Sequence, residues 1–206
     1  MSRIKKTGAL ASHDDRPDAK PRAASRIRDV ASELFYRQGI RAVGVDEIVR
    51  RAGVTKPSLY RGFGSKEDLA AVYLEDFAAI FWRRFDAAAT EHPNDPHAQL
   101  RAFLTALAER ASQEGYRGCA LTNAALEYPA HDHPIHRIAE THKREVRGRL
   151  SDLAARLGAR DPGMLADGLL LLIEGTFATA QVFGAEGPAR ALPAAAEALV
   201  QASRRA

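Results

Sequence analysis

An all-α fold of about nine helices is what this sequence predicts, and three observations carry the prediction. Apolar residues recur at i, i+3, i+4 and i+7 along most of the chain, which is the period of one helix face. Proline and glycine punctuate the ends of these runs, as at Gly39, Gly53, Pro93, Pro134, Gly158 and Pro162. No convincing period-2 strand occurs, and no repeat in the range of roughly 20 to 50 residues.

Residues 1–20 read as a disordered N-terminal tail, polar, with Gly8 and Pro17 and no apolar period. From Pro21 the pattern changes. Ile27, Val30, Ala31, Leu34 and Phe35 make one stripe of a helix that ends at Gly39. Val45, Ile48, Val49 and Ala52 repeat the spacing over a shorter span closed by Gly53. A third short helix follows, with Thr55 as N-cap and Pro57 in the first turn, where a missing donor costs nothing. After Gly62 and Gly64, Ser65 with Asp68 gives a capping-box pattern. It opens a long helix carrying Leu69, Val72, Tyr73, Ile80, Phe81 and Phe85, which stops near Pro93 and Pro96. Leu100, Phe103, Leu104 and Leu107 mark the next helix, and Cys119 to Tyr128 a shorter one. Pro134 starts a helix through Ile138, Val146, Leu150 and Leu153 to Gly158. Pro162 starts another, Met164 to Phe183, and Pro188 precedes a last one ending near Ser203.

At 206 residues the chain is long enough to bury a core without disulfides or a structural metal. Its single cysteine, Cys119, cannot form an internal disulfide, which fits a reducing compartment. The opening MSRIKKTGALASHDDRPDAK has no apolar core for a secretory signal. Asp167 and Glu174 interrupt the most apolar stretch, so a cytoplasmic protein with no membrane partner is expected. The net charge of +4 hides an asymmetry. Residues 1–66 carry 15 Lys+Arg against 7 Asp+Glu, and the remainder 15 against 19. A basic front on an acidic back suggests an anionic partner for the front, nucleic acid first, although a solvated Arg-rich surface explains the same charges.

The informative segment is Val45 to Arg61, VDEIVRRAGVTKPSLYR. Two short amphipathic helices joined at Ala52-Gly53-Val54-Thr55 match a helix-turn-helix, with Gly53 at the left-handed position that a side chain disfavours. Val54 and Leu59 would pack the second helix on Ile48 and Val49, and the first helix would close the mini-core. With Leu59 inward, Thr55, Lys56, Ser58, Tyr60 and Arg61 face outward, all able to hydrogen-bond. Such a helix N-terminus suits base edges and phosphates, and Lys66 opens the next helix at another phosphate-seeking position. The plainer alternative is a helical corner with a polar outer face.

Residues 24–70, above all AGVTKPSLYRGFGSKEDL with its Tyr60, Phe63 and Lys66 spacing, resemble the DNA-binding half of the tetracycline-repressor (TetR) family. The resemblance implies a homodimer that presents two recognition helices to a near-palindromic double-stranded operator. It implies that Lys56 to Arg61, Pro57 included, is the recognition helix, that Tyr60 and Lys66 clamp phosphates, and that Thr55 caps the helix and touches DNA. Gly44 stands where the family has Ser or Thr, so it can cap the preceding helix but offers no hydroxyl to a phosphate. The division implied is 21–66 for DNA binding and 67–206 for ligand binding and dimerisation.

The same resemblance implies a pocket for an unidentified small-molecule effector and a four-helix interface formed by the last two long helices. Gly175, Ala178 and Ala180 would allow close helix approach there. Candidate pocket residues are Trp82, Phe85, Phe103, Leu107, Asn123, Glu127, Phe177 and Gln181, each of which plain core packing also explains. Asn123 and Glu127, one turn apart, are the expected polar anchors, or else they stitch helices together. RGCALTNAALE also resembles a segment of some thiol-sensing TetR-type regulators, with Arg117 beside Cys119 as the means of favouring a thiolate. A small buried hydrophobe is the alternative for Cys119.

His131, His133, His136 and His142 cluster near Asp132, Glu127 and Glu140 without the tight spacing of a zinc motif, so no metal or other cofactor is expected. Asp132 or His133 reads more simply as a helix cap. A small helical metal enzyme and a ligandless DNA binder are the rival classes. No Gly-x-Ser-x-Gly, HExxH or phosphate loop supports the first, and the large apolar second half argues against the other. The expected protein is a ligand-responsive transcriptional regulator, most simply a repressor, and not an enzyme.

Overall fold

The computed structural model describes residues 19–204, and among them all regular structure is helical. The order is α1 Ala19–Gln38, α2 Val45–Ala52, α3 Lys56–Phe63, α4 Lys66–Glu91, α5 Pro96–Ala111, α6 Ala120–Glu127, α7 Pro134–Arg156, α8 Pro162–Phe183 and α9 Leu192–Arg204. Two differences from the sequence expectation concern starts. The first helix begins at Ala19 rather than Pro21, with the proline in its first turn; the rest of the expected tail, residues 1–18, lies outside the described residues. Pro188 opens a 3₁₀ turn, Pro188–Ala191, and α9 begins only at Leu192.

The first three helices close around Ile27, Ala31, Leu34, Phe35, Ile48, Val49 and Leu59, all buried. The turn between α2 and α3 explains their angle. Gly53 sits at φ +62°, its N–H reaches the Arg50 carbonyl at 3.3 Å, and the Val54 N–H reaches Val49 at 3.0 Å. This is a Schellman stop, which requires the left-handed residue that glycine supplies without strain. Thr55 occupies the N-cap of α3 as expected, but its hydroxyl lies 3.0 Å from the Ser58 hydroxyl and caps no backbone N–H. Ser65 caps α4 by accepting from the Asp68 N–H at 2.9 Å. Only half of the expected box forms, because the Asp68 carboxylate accepts from the Ser65 hydroxyl at 2.7 Å instead of from a backbone N–H.

α4, with 26 residues, is about 39 Å long at the usual rise. It packs on α1 at one end and on α5, α6 and α7 further along, so one apolar core runs unbroken from Ile27 to Val200. α5 and α8 are capped by Asp95 and Asp161, each accepting from the N–H three residues on. α7 is capped by His133, whose Nδ1 accepts from the Ile135 N–H at 3.2 Å. α8 and α9 lie against each other so closely that a Cβ on Gly168 would come within 2.7 Å of Leu199. The segment Pro162–Glu186 is long and apolar enough to cross a membrane by length and composition, despite Asp167 and Glu174. Its inner face, Leu165, Leu169, Ile173 and Phe177, is buried in the core.

Candidate nucleic-acid interface and the cavity behind it

On α3, Leu59 is fully buried and Thr55, Lys56, Pro57, Tyr60 and Arg61 are exposed, with Ser58 between. This matches the outward set read from the sequence. Gly44, the N-cap of α2, is exposed with open space where a side chain would stand, and Lys66 is the half-buried first residue of α4. Lys56 is not free: its Nζ lies 2.8 Å from Asp46 Oδ1 on α2, and that carboxylate raises the lysine pKa. Arg50, Arg61 and Lys66 have no carboxylate at ion-pair distance among the described residues. Around the paired lysine, Arg61 and Lys66 are cations without an ion-pair partner among the described residues.

Behind this face a layer of polar contacts joins the front helices to the rest. Glu127, at the end of α6, accepts from the Arg41 N–H at 2.8 Å, and its carbonyl accepts from Arg41 Nη1 at 3.2 Å. Close approach is possible because Gly39, at φ +93°, has no Cβ; one there would meet Glu127 Oε1 at 2.8 Å. Tyr36 of α1 takes the Arg117 N–H at 2.9 Å and donates to the Gly118 carbonyl at 3.3 Å. Arg28 of α1 makes a two-pronged ion pair with Asp76 of α4. Asn123 donates to the Arg117 carbonyl at 2.7 Å. Glu127 thus ties α6 to the turn before α2, whereas the Asn123 bond is local, to the loop just before α6.

The expected pocket residues divide into three groups. Leu107 and Phe177 line a cavity of 580 Å³ between α1, α4, α5, Tyr116 and α8. Asn123, Glu127 and Gln181 line a separate hollow of 350 Å³ beside Gly39 and Tyr36. Trp82, Phe85 and Phe103 line neither. Trp82 and Phe103 meet Phe81 edge-on and Phe85 meets Trp82 and Phe103, at centroid distances of 4.9 to 5.9 Å, and Arg149 covers the Trp82 ring at 4.1 Å. His142 joins this aromatic cluster 5.2 Å from both Phe81 and Trp82, with neither ring nitrogen hydrogen-bonded among the described residues.

Sequence reasoning missed Arg84 and Arg110, which line the larger cavity. The available signal was a cation on an apolar stripe, since Arg84 continues the α4 face of Phe77 and Ile80. Arg84 and Arg110 are half-buried and have no carboxylate partner among the described residues. Burial first, then Arg110, lowers the Arg84 pKa below its ordinary value.

Cys119 is buried, and the cation beside its sulfur is Lys143 Nζ at 3.3 Å, not the Arg117 expected from the sequence. Lys143 also pairs with Glu174, which accepts from the Thr122 hydroxyl at 2.7 Å. Burial works against the lysine charge, but Cys119 and Glu174 outweigh it and its pKa lies above the usual value. His133 is a cap, as read, and the loop before α7 brings His131 near His136 and Glu140, a proximity that spacing along the chain did not reveal.

The model of the family described as "Bacterial regulatory proteins, tetR family" matches residues 27–73. The structure of SCO4454, a TetR-family transcriptional regulator from Streptomyces coelicolor, aligns with a TM-score of 0.86 and 30% identity, covering 90% of this chain and 97% of that one. The transcriptional regulator AcuR of Cereibacter sphaeroides is 35% identical over 115 residues; the match takes in 55% of this chain and spans about half of that protein, 52%. The HTH-type transcriptional regulator YjdC of Escherichia coli is 28% identical over 148 residues, 70% of this chain and 76% of that one.

Proposed function

We propose that this chain, which belongs to the tetR family of bacterial regulatory proteins and is a DNA-binding transcriptional regulator, acts as a homodimeric repressor released from its operator by a small organic anion. The observation that carries the reading is α3: Leu59 alone is buried, and the exposed remainder carries hydroxyls and cations. Residues 21–66 serve as the DNA-binding unit and 67–206 as the ligand-binding and dimerisation unit, with α4 crossing between them. Lys56 to Arg61 enters the major groove, while Tyr60, Lys66 and Thr55 position the helix on phosphates. Gly44 contributes its backbone N–H only. Repression follows the usual mode of the family.

Fluorescence anisotropy with DNA from upstream of the gene tests this, beside a scrambled duplex at about 0.15 M salt, where exposed charges are screened. Tight binding to the genomic duplex alone, lost in Tyr60→Ala, is the expected result. Equal, weak binding to both duplexes overturns the recognition-helix assignment. Asp46→Asn frees Lys56 from its 2.8 Å partner and removes a negative charge near the face. It is expected to tighten binding to both duplexes and to steepen the salt dependence by about one phosphate contact.

The cavity of 580 Å³ supports the ligand part, because it lies between α1 and the regulatory helices and its walls join Ile80, Phe81, Leu107 and Phe177 to Arg84 and Arg110, with Asp29, Glu33 and the Arg28–Asp76 ion pair on the α1 side. An anion with an apolar body satisfies the apolar wall and the two arginines that lack a carboxylate partner among the described residues, while Asp76 is already paired with Arg28. A ligand there touches α1 and α4 together, so it shifts the dimer toward the state that its contacts favour. Short-chain carboxylates are expected to release labelled operator where their amides do not. Arg84→Gln is expected to weaken that release about tenfold, with ligand-free operator binding unchanged. Equal potency of acids and amides would rule the anion out.

A further inference from the structure

The loop from α6 to α7 gathers side chains that neither the DNA-facing helix nor the cavity uses. His136 and Glu140 stand one turn apart on α7, and His131 folds over them from the loop. One ligand atom from each lies within 4.8 Å of the other two. The His131 and His136 rings meet edge to face at 4.5 Å.

A second observation concerns the tautomer. His136 Nδ1 lies 2.8 Å from the Tyr128 carbonyl oxygen. A carbonyl only accepts, so Nδ1 carries the proton and Nε2 keeps its lone pair for an incoming ion. This is the backbone bracing that orients a metal-ligating imidazole. Arg144 directs both of its bonds to Glu140 Oε1, which leaves Oε2 for another partner. His133 is committed to capping α7 and stacks on Tyr128 at 4.4 Å.

We propose that His131, His136 and Glu140 form a site for a late first-row divalent cation of the zinc class. Two imidazoles and one carboxylate suit such an ion, whereas magnesium and calcium take all-oxygen sets. Three protein ligands leave a fourth, solvent-facing position for water. Metal–ligand distances of about 2.0–2.2 Å require the three atoms to draw together. His131 is exposed and has room to make that move. The ion also braces the end of α6, because His136 holds Tyr128 and the adjacent Glu127 holds Arg41 in the turn before α2.

Isothermal titration calorimetry of the tag-free full chain, stripped with chelator and titrated with zinc chloride, tests the site. One ion per chain is expected, with affinity lowered at least about tenfold in His136→Ala and His131→Ala and unchanged in the distant His97→Ala. Magnesium chloride is expected to give no heat. Circular dichroism confirms that each variant keeps its helices, and binding of cobalt or nickel by the wild type but not by the variants supports the same ligands. Absence of zinc heat in the wild type, or equal affinity in the His131→Ala/His136→Ala double variant, overturns the site.

Discussion

Leu171→Glu is expected to turn the proposed dimer into a monomer and to reduce operator affinity by about a hundredfold or more, the avidity that two linked half-sites supply. Leu171 is 72% exposed on α8, in a row with Met164 at 70% and Val182 at 74%. Gly175 and Ala178, also exposed, lie on the same row, whose spacing follows one helix face. An apolar hollow bounded by Gly168, Leu171, Leu172, Ala195, Ala198 and Leu199 continues that face onto α9. A helix apolar on both sides needs two partners, its own core and another surface. In a two-fold interface the substitution places two carboxylates near each other, and an unpaired buried charge costs several kcal/mol. The monomer loses little, because the side chain makes few contacts within its own chain. Sedimentation velocity beside operator anisotropy reads both effects. A dimer that survives the substitution places the interface elsewhere.

Where a backbone rule decided the outcome, the sequence was legible. Gly53 ends α2 in the left-handed conformation, Pro134 and Pro162 open helices, and Leu59 points inward, as the apolar spacing predicts. The outward set on α3 follows from the same geometry. The regulatory half was legible as helices but not as a site. For Trp82, Phe85 and Phe103 the sequence leaves pocket lining and core packing open, because aromatic residues suit both a cavity wall and a core, and the 3.6-residue period is the same for either. Their mutual stacking depends on how α4 and α5 cross, which no local pattern encodes. Glu127 reached Arg41 across 86 positions, and the convergence of His131 on Glu140 depended on a loop. Arg84 was the exception, a charge set on an apolar stripe, and it was visible in principle.

A mildly acidic solution is expected to destabilise the fold through His142. The residue is 4% exposed, and both ring nitrogens lack partners among the described residues, beside Phe81 and Trp82. Burial, with a smaller contribution from the Lys143 charge, pushes its pKa down from 6.5 to about 4. The sign follows from which state takes up the proton. Between pH 6.5 and 4 the unfolded chain binds a proton at this histidine and the folded chain does not. The stability linked to the neutral ring is therefore complete above 6.5 and lost progressively as pH falls toward 4, a change of about 3 kcal/mol in all. His142→Phe removes the titrating group and keeps a ring against Phe81 and Trp82. At neutral pH it also removes two unsatisfied nitrogens, each of which costs on the order of 1 kcal/mol to bury. Urea unfolding at pH 7.5, 6 and 5, at one fixed protein concentration, separates the two contributions. The variant is expected to be the more stable at each pH, with the gap widening as the solution becomes acidic. Parallel curves for the two proteins would mean that the imidazole gains a hydrogen-bonding partner in solution, and that the aromatic cluster admits water.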